Sequence, residues 1–105
     1  MRKLVCVEIP READMASLAP WSLYAVIVHE RVTRAGRALV PAGFPWRTTI
    51  YRSGREVESE LAGPSNVGTI LNYHNVSEVY LMGVDPAGRA ELDKSLANLC
   101  IQLVT

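Results

Sequence analysis

The sequence predicts a mixed α/β domain of the α+β kind: one mixed β-sheet, an antiparallel meander followed by helix–strand–helix–strand, with helices packed on it. Three observations carry that expectation. Residues 46–52, rich in branched and aromatic side chains, and 55–61, where Glu56, Glu58 and Glu60 alternate with other residues, are joined by Ser53-Gly54, the form of a two-residue hairpin. Residues 78–84 are nearly continuously apolar, as in a parallel strand buried on both faces. Helix punctuation brackets that run, with Gly63-Pro64-Ser65-Asn66 before it and Asp85-Pro86 after it.

The chain has 105 residues, 49% of them apolar and 21% charged. That size fits one domain over 1–105 and buries roughly 60–70% of the unfolded surface without staples. Cys6 and Cys100 both sit in apolar runs and read as buried free thiols, which suits a reducing compartment. The apolar stretch 4–9 is interrupted by Glu8 and closed by Pro10, so it does not read as a signal peptide, and no run reaches membrane-span length. The expected setting is cytoplasmic.

Residues 4–9 form the first strand, stopped at Pro10. Residues 11–19 suit a short helix, with Glu12 and Asp14 in its first turn and Pro20 at its end. Residues 22–32 are a long strand that alternates from Ile27 onward, as if running toward an edge. A four-residue turn at 33–36 returns the chain as a shorter strand at 37–40, and Pro41, Gly43 and Pro45 then break it. In the hairpin that follows, a Ser53-Gly54 loop pairs Ile50 with Val57 and Trp46 with Leu61 on one face. It sets Tyr51 opposite Glu56, Thr49 opposite Glu58 and Arg47 opposite Glu60 on the other.

Ser65 or Asn66 caps a short helix carrying Val67, Ile70, Leu71 and His74 at helical spacing, and Asn75 closes it. After the strand 78–84, the Asp85 cap and Pro86 start a second helix with Leu92, Leu96, Leu99 and Leu103 as its stripe. Its end is open to two readings. The helix runs to Leu103, or it stops near Leu99 and residues 101–104 form a last strand, the favoured alternative because those residues are branched and alternate with Gln102.

From residue 22 this order resembles the ribonuclease-H-like and actin-like half-domain: three antiparallel strands, then alternating helices and parallel strands. The resemblance covers 22–104 and rests on element order. It implies a fold with no activity attached, because the carboxylates of such a nuclease are mostly missing and residues 33–36 are not a glycine-rich phosphate loop. Asp85 alone matches a carboxylate position after the fourth strand.

Eleven basic and eleven acidic residues give zero formal charge. That balance argues against a nucleic-acid partner and leaves little repulsion between copies. One stretch departs from it. Arg31, Arg34, Arg37, Arg47, Arg52 and Arg55 occur without an acid among them, interleaved with Phe44, Trp46 and Tyr51, and Glu56, Glu58 and Glu60 follow at once. Arg31, Arg34, Arg37 and Arg52, with His29, are the candidates for a small-ligand or anion site. The alternative for these arginines is pairing with the glutamates in a solvated hairpin.

Trp21, Phe44 and Trp46 lie in or beside proline-broken segments and, with Tyr51, are the candidate interface residues; otherwise they cap the core. His29, His74 and Asp85 could serve acid–base chemistry only if the fold converges them. There is no metal-ligand spacing and no Gly-x-Ser-x-Gly, so no catalytic residue, metal or cofactor is assigned. The expected function is a non-catalytic interaction or adaptor domain, self-associating as a dimer or docking on another protein. A small-ligand or anion-binding domain is the alternative.

Overall fold

The computed structural model describes residues 1–10, 23–29, 33–34, 37–38, 46–63, 65–84 and 86–105, with the backbone alone at 28–29, 33–34 and 37–38. The elements are β1 (Arg2–Ile9), β2 (Leu23–His29), β3 (Thr33–Arg34), β4 (Arg37–Ala38), β5 (Trp46–Arg52), β6 (Arg55–Ala62), α1 (Val67–His74), β7 (Glu78–Met82), α2 (Pro86–Ala97) and β8 (Ile101–Val104). The helix read at 11–19 and the cap at Asp85 lie outside the described residues.

Six strands form one mixed sheet in the order β6-β5-β2-β7-β1-β8, and β3 pairs with β4 separately. β5 runs antiparallel to β2 and β6, while β2, β7, β1 and β8 are parallel neighbours. The expected class is therefore present. The half-domain order is not reproduced beyond that, because β1, which lies outside the resemblance, sits between β7 and β8 and separates two strands that belong to it.

Register places the core on one face. Leu4 and Cys6 of β1, Ala25 and Ile27 of β2, Ile50 of β5, Val79 and Leu81 of β7, and Leu103 of β8 fall in matching rows. They cluster with Val67, Ile70 and Leu71 of α1 and with Leu92 and Leu96 of α2. Both helices thus pack on that face, and each fully buried leucine or isoleucine contributes about 1.5–3 kcal/mol. A Cβ on Gly68 would meet Leu99 Cδ1 at 2.7 Å, so α1 and the end of α2 approach closely where residue 68 has no side chain.

The β5–β6 hairpin turns at Ser53 and Gly54, both with positive φ (53° and 76°), as the favoured two-residue turn requires. Tyr51 lies opposite Glu56, as the sequence predicts. A bulge between Ile50 and Tyr51 then shifts the pairing, so Ile50 meets Glu58, Thr48 meets Glu60 and Trp46 meets Ala62. The single extra residue carries Glu58 and Glu60 to the helix-covered face.

Two other expectations are corrected. The turn read at 33–36 is shorter, since Thr33 and Arg34 already pair with Ala38 and Arg37. Cys100 is exposed, not buried: it occupies a left-handed position (φ 58°) in the turn that ends α2, where its N–H donates to the Ala97 carbonyl. Cys6 is buried as expected.

α1 begins after Asn66, whose side chain does not cap forward but accepts the Gly63 N–H at 2.8 Å. It ends at Asn75 in the left-handed conformation, as the sequence predicts. Arg2 fastens β1 to that end, donating from Nη1 to Asn72 Oδ1 at 2.7 Å and from Nη2 to the Val76 carbonyl. β7 stops at Met82, before a positive-φ Gly83, and the tail is a strand, β8.

Candidate functional site

Three places combine polar or apolar groups that the core does not consume. The first is a groove of about 310 Å³ between α1 and β6, lined by Glu58, Glu60, Thr69, Ile70, Tyr73 and His74. The bulge in β6 creates it by turning Glu58 toward α1. There His74 Nε2 donates to Glu58 Oε2 at 2.6 Å, and the Tyr73 ring, 82% exposed, stands edge-on to the imidazole. Among the described residues no hydroxyl or thiol is hydrogen-bonded to His74, and no three His, Cys, Asp or Glu side chains come together as a metal site. What this pair does is clamp the helix to the hairpin.

The second lies at the carboxyl ends of β1 and β7. A cavity of about 460 Å³ is lined by Glu8, Val84, Pro86, Arg89, Ala90 and Asp93. Arg89 Nε donates to both Asp93 oxygens at 3.0 and 3.2 Å, and Nη1 stands 3.9 Å from Glu8 Oε1. The cation is thereby engaged by two acids of its own chain. Below it, burial pushes the Cys6 thiol pKa up, against the opposing pull of Arg89, so the thiol stays protonated and weakly nucleophilic.

The third is the side of the sheet away from the helices. A tyrosine cluster covers part of it: Tyr24 stacks on Tyr51 at 5.2 Å and meets Tyr80 edge-on at the same distance. Tyr80 donates to Glu78 Oε2 at 2.7 Å, and burial together with that bond pushes its pKa up to about 12. Next to this cluster β1 is bare. Val5 and Val7 are 50% and 43% exposed, although β1 is flanked by parallel neighbours on both sides.

The residues singled out from the sequence do not converge. His29 is at the carboxyl end of β2, opposite Trp46, whereas Arg52 is exposed and opposite Leu23 at the other end, about 20 Å away along the strand. Glu58, the partner of His74, is in register through Ile50 with Ala25, about 13 Å along β2 from His29. Arg34 and Arg37 are register partners in β3–β4. Arg31, Trp21, Phe44 and Asp85 lie outside the described residues.

Trp46 is fully buried in the core cluster, so it is not available to a partner; Tyr51 is half-buried in the tyrosine stack. Val5 and Val7 were not singled out by the sequence, where every residue from 4 to 7 is apolar and neither face is marked as outer.

Among the described residues no helix is long and apolar enough to cross a membrane. Comparison with protein-family models, curated proteins and solved structures finds no match for the chain.

Proposed function

We propose that the chain is a protein-interaction domain that associates with copies of itself through the helix-free face of β1. One observation carries this reading: β1 is parallel to both neighbours, yet Val5 and Val7 face solvent. Parallel strands normally have both faces covered, and among the described residues the helices cover only one. A second copy suits the open face because the chain has zero formal charge, so no field opposes the approach of two copies. The domain acts by presenting a surface and has no chemistry of its own.

Sedimentation of the unaltered chain and of Val5→Lys/Val7→Lys tests this. Both positions are exposed, so the variant keeps its fold, and its mass falls to half that of the parent. A parent and variant of equal mass would refute the face contact.

A second reading, anion binding, is favoured by one observation. Arg34 is the register partner of Arg37 in β3–β4, and Arg52 that of Arg55 beside the Ser53-Gly54 turn. Like charges directly opposite are destabilising, and an anion between them relieves the repulsion. The two pairs sit at separate hairpins, so this reading gives two small clamps and no single pocket.

A further inference from the structure

The sheet has two edges, β6 and β8, and they are built differently. β6 carries Glu56, Glu58 and Glu60 along with the bulge, which are two of the devices that stop an edge from recruiting another strand. β8 reads Ile101-Gln102-Leu103-Val104, without a charge and without an irregularity. Its one defence is its shortness.

The phase of β8 fixes what the edge offers. The Arg2 N–H donates to the Cys100 carbonyl at 2.8 Å. In a parallel ladder this turns the backbone groups of Cys100, Gln102 and Val104 toward β1, and those of Ile101 and Leu103 outward. Among the described residues neither of these takes a backbone hydrogen bond beyond the sheet. On the helix side, a groove of about 310 Å³ runs beside the edge, lined by Asp93, Ala97, Ile101 and Leu103 among others.

We propose that two copies of the chain join edge to edge through antiparallel pairing of β8 with β8, about a two-fold axis at Gln102. In that register Ile101 of one copy lies opposite Leu103 of the other, and each pair exchanges both of its N–H···O bonds. All outward groups of Ile101 and Leu103 are then satisfied, and helix faces lie on the same side of a continuous sheet. A slip of one residue would set a helix-side residue against an open-side one, so the pleat excludes it. Ile101 and Leu103 are buried in the core of their own copy, so the backbone ladder carries the contact, and the groove beside α2 lies along the seam. No acid or base stands on either β8 to oppose its own image. This contact rests on the reading that copies associate, and it is separate from the valine face.

The two Gln102 residues form a non-hydrogen-bonded pair, whose Cα atoms stand about 4.5 Å apart, within reach of a disulfide. Gln102→Cys in a Cys100→Ser chain, under mild oxidation, shifts the band to a linked dimer on a non-reducing gel. Val57→Cys in the same background, on the exposed part of β6, stays monomeric. The Gln102→Cys crosslink also persists with Val5 and Val7 changed to lysine, which shows the edge contact to be independent of the face. Absence of the Gln102 crosslink, or equal crosslinking from Val57, overturns the edge pairing and leaves the face contact to be judged by mass alone.

Discussion

Replacing Trp46 by alanine separates a core residue from a contact residue. Trp46 is fully buried at the start of β5, paired with His29 on one side and Ala62 on the other, and shares the core with Ile50 and Val67. Removing a side chain of that size from a packed interior costs about 3–5 kcal/mol. A domain of this length has only about 5–15 kcal/mol to lose. With a urea slope near 1–3 kcal/mol per molar, the midpoint falls by about 1–5 M. Far-UV circular dichroism is the suitable probe, because the substitution removes an indole. The folded fraction keeps the mass of the parent, since Trp46 is buried in the core and does not reach the surface. An unchanged urea midpoint accompanied by a loss of mass would refute the burial argument and return Trp46 to the surface.

Two other outcomes follow from the sheet faces and the hairpin tips. Tyr80 ionises at about 12, raised chiefly by burial and then by its bond to Glu78. An unfolded tyrosine ionises near 10, so the contribution of Tyr80 to stability is whole below pH 10 and is lost as pH rises from about 10 to 12. Denaturation midpoints measured across that window should fall less steeply in Tyr80→Phe, and equal slopes would contradict the assignment. If the arginine pairs hold anions, inorganic pyrophosphate raises the melting temperature of the parent, and Arg34→Ala/Arg37→Ala removes a larger part of the gain than Arg47→Ala does. No gain in the parent ends that reading.

Much of the fold was legible because local chemistry and global packing agree. Ser53-Gly54 announces its turn, Asn75 closes α1, and the branched tail declares β8. The register beyond Tyr51 was not legible, since a bulge adds a residue without a sequence mark, and with it went the meeting of Glu58 and His74. Burial of Trp46 had a signal: it lies on the same face of β5 as Ile50, and that alternation outweighs the neighbouring prolines. Cys100 shows the reverse error, an apolar neighbourhood interrupted by one left-handed turn residue. The surface proposed for association was hidden because β1 is apolar on both sides. The exposure of Val5 and Val7 marks the open side among the described residues.

The place of β1 also bears on how the chain is made. It leaves the ribosome before its neighbours in the sheet, β7 and β8, with residue 2 paired to residue 101. At about 5–20 residues per second, the nascent strand waits roughly 5–20 s before β8 exists to flank it. Throughout that interval a sticky ribbon of leucine, valine and cysteine is without its β8 neighbour, and refolding from denaturant is slowed by closing the loop that brings residue 2 to residue 101.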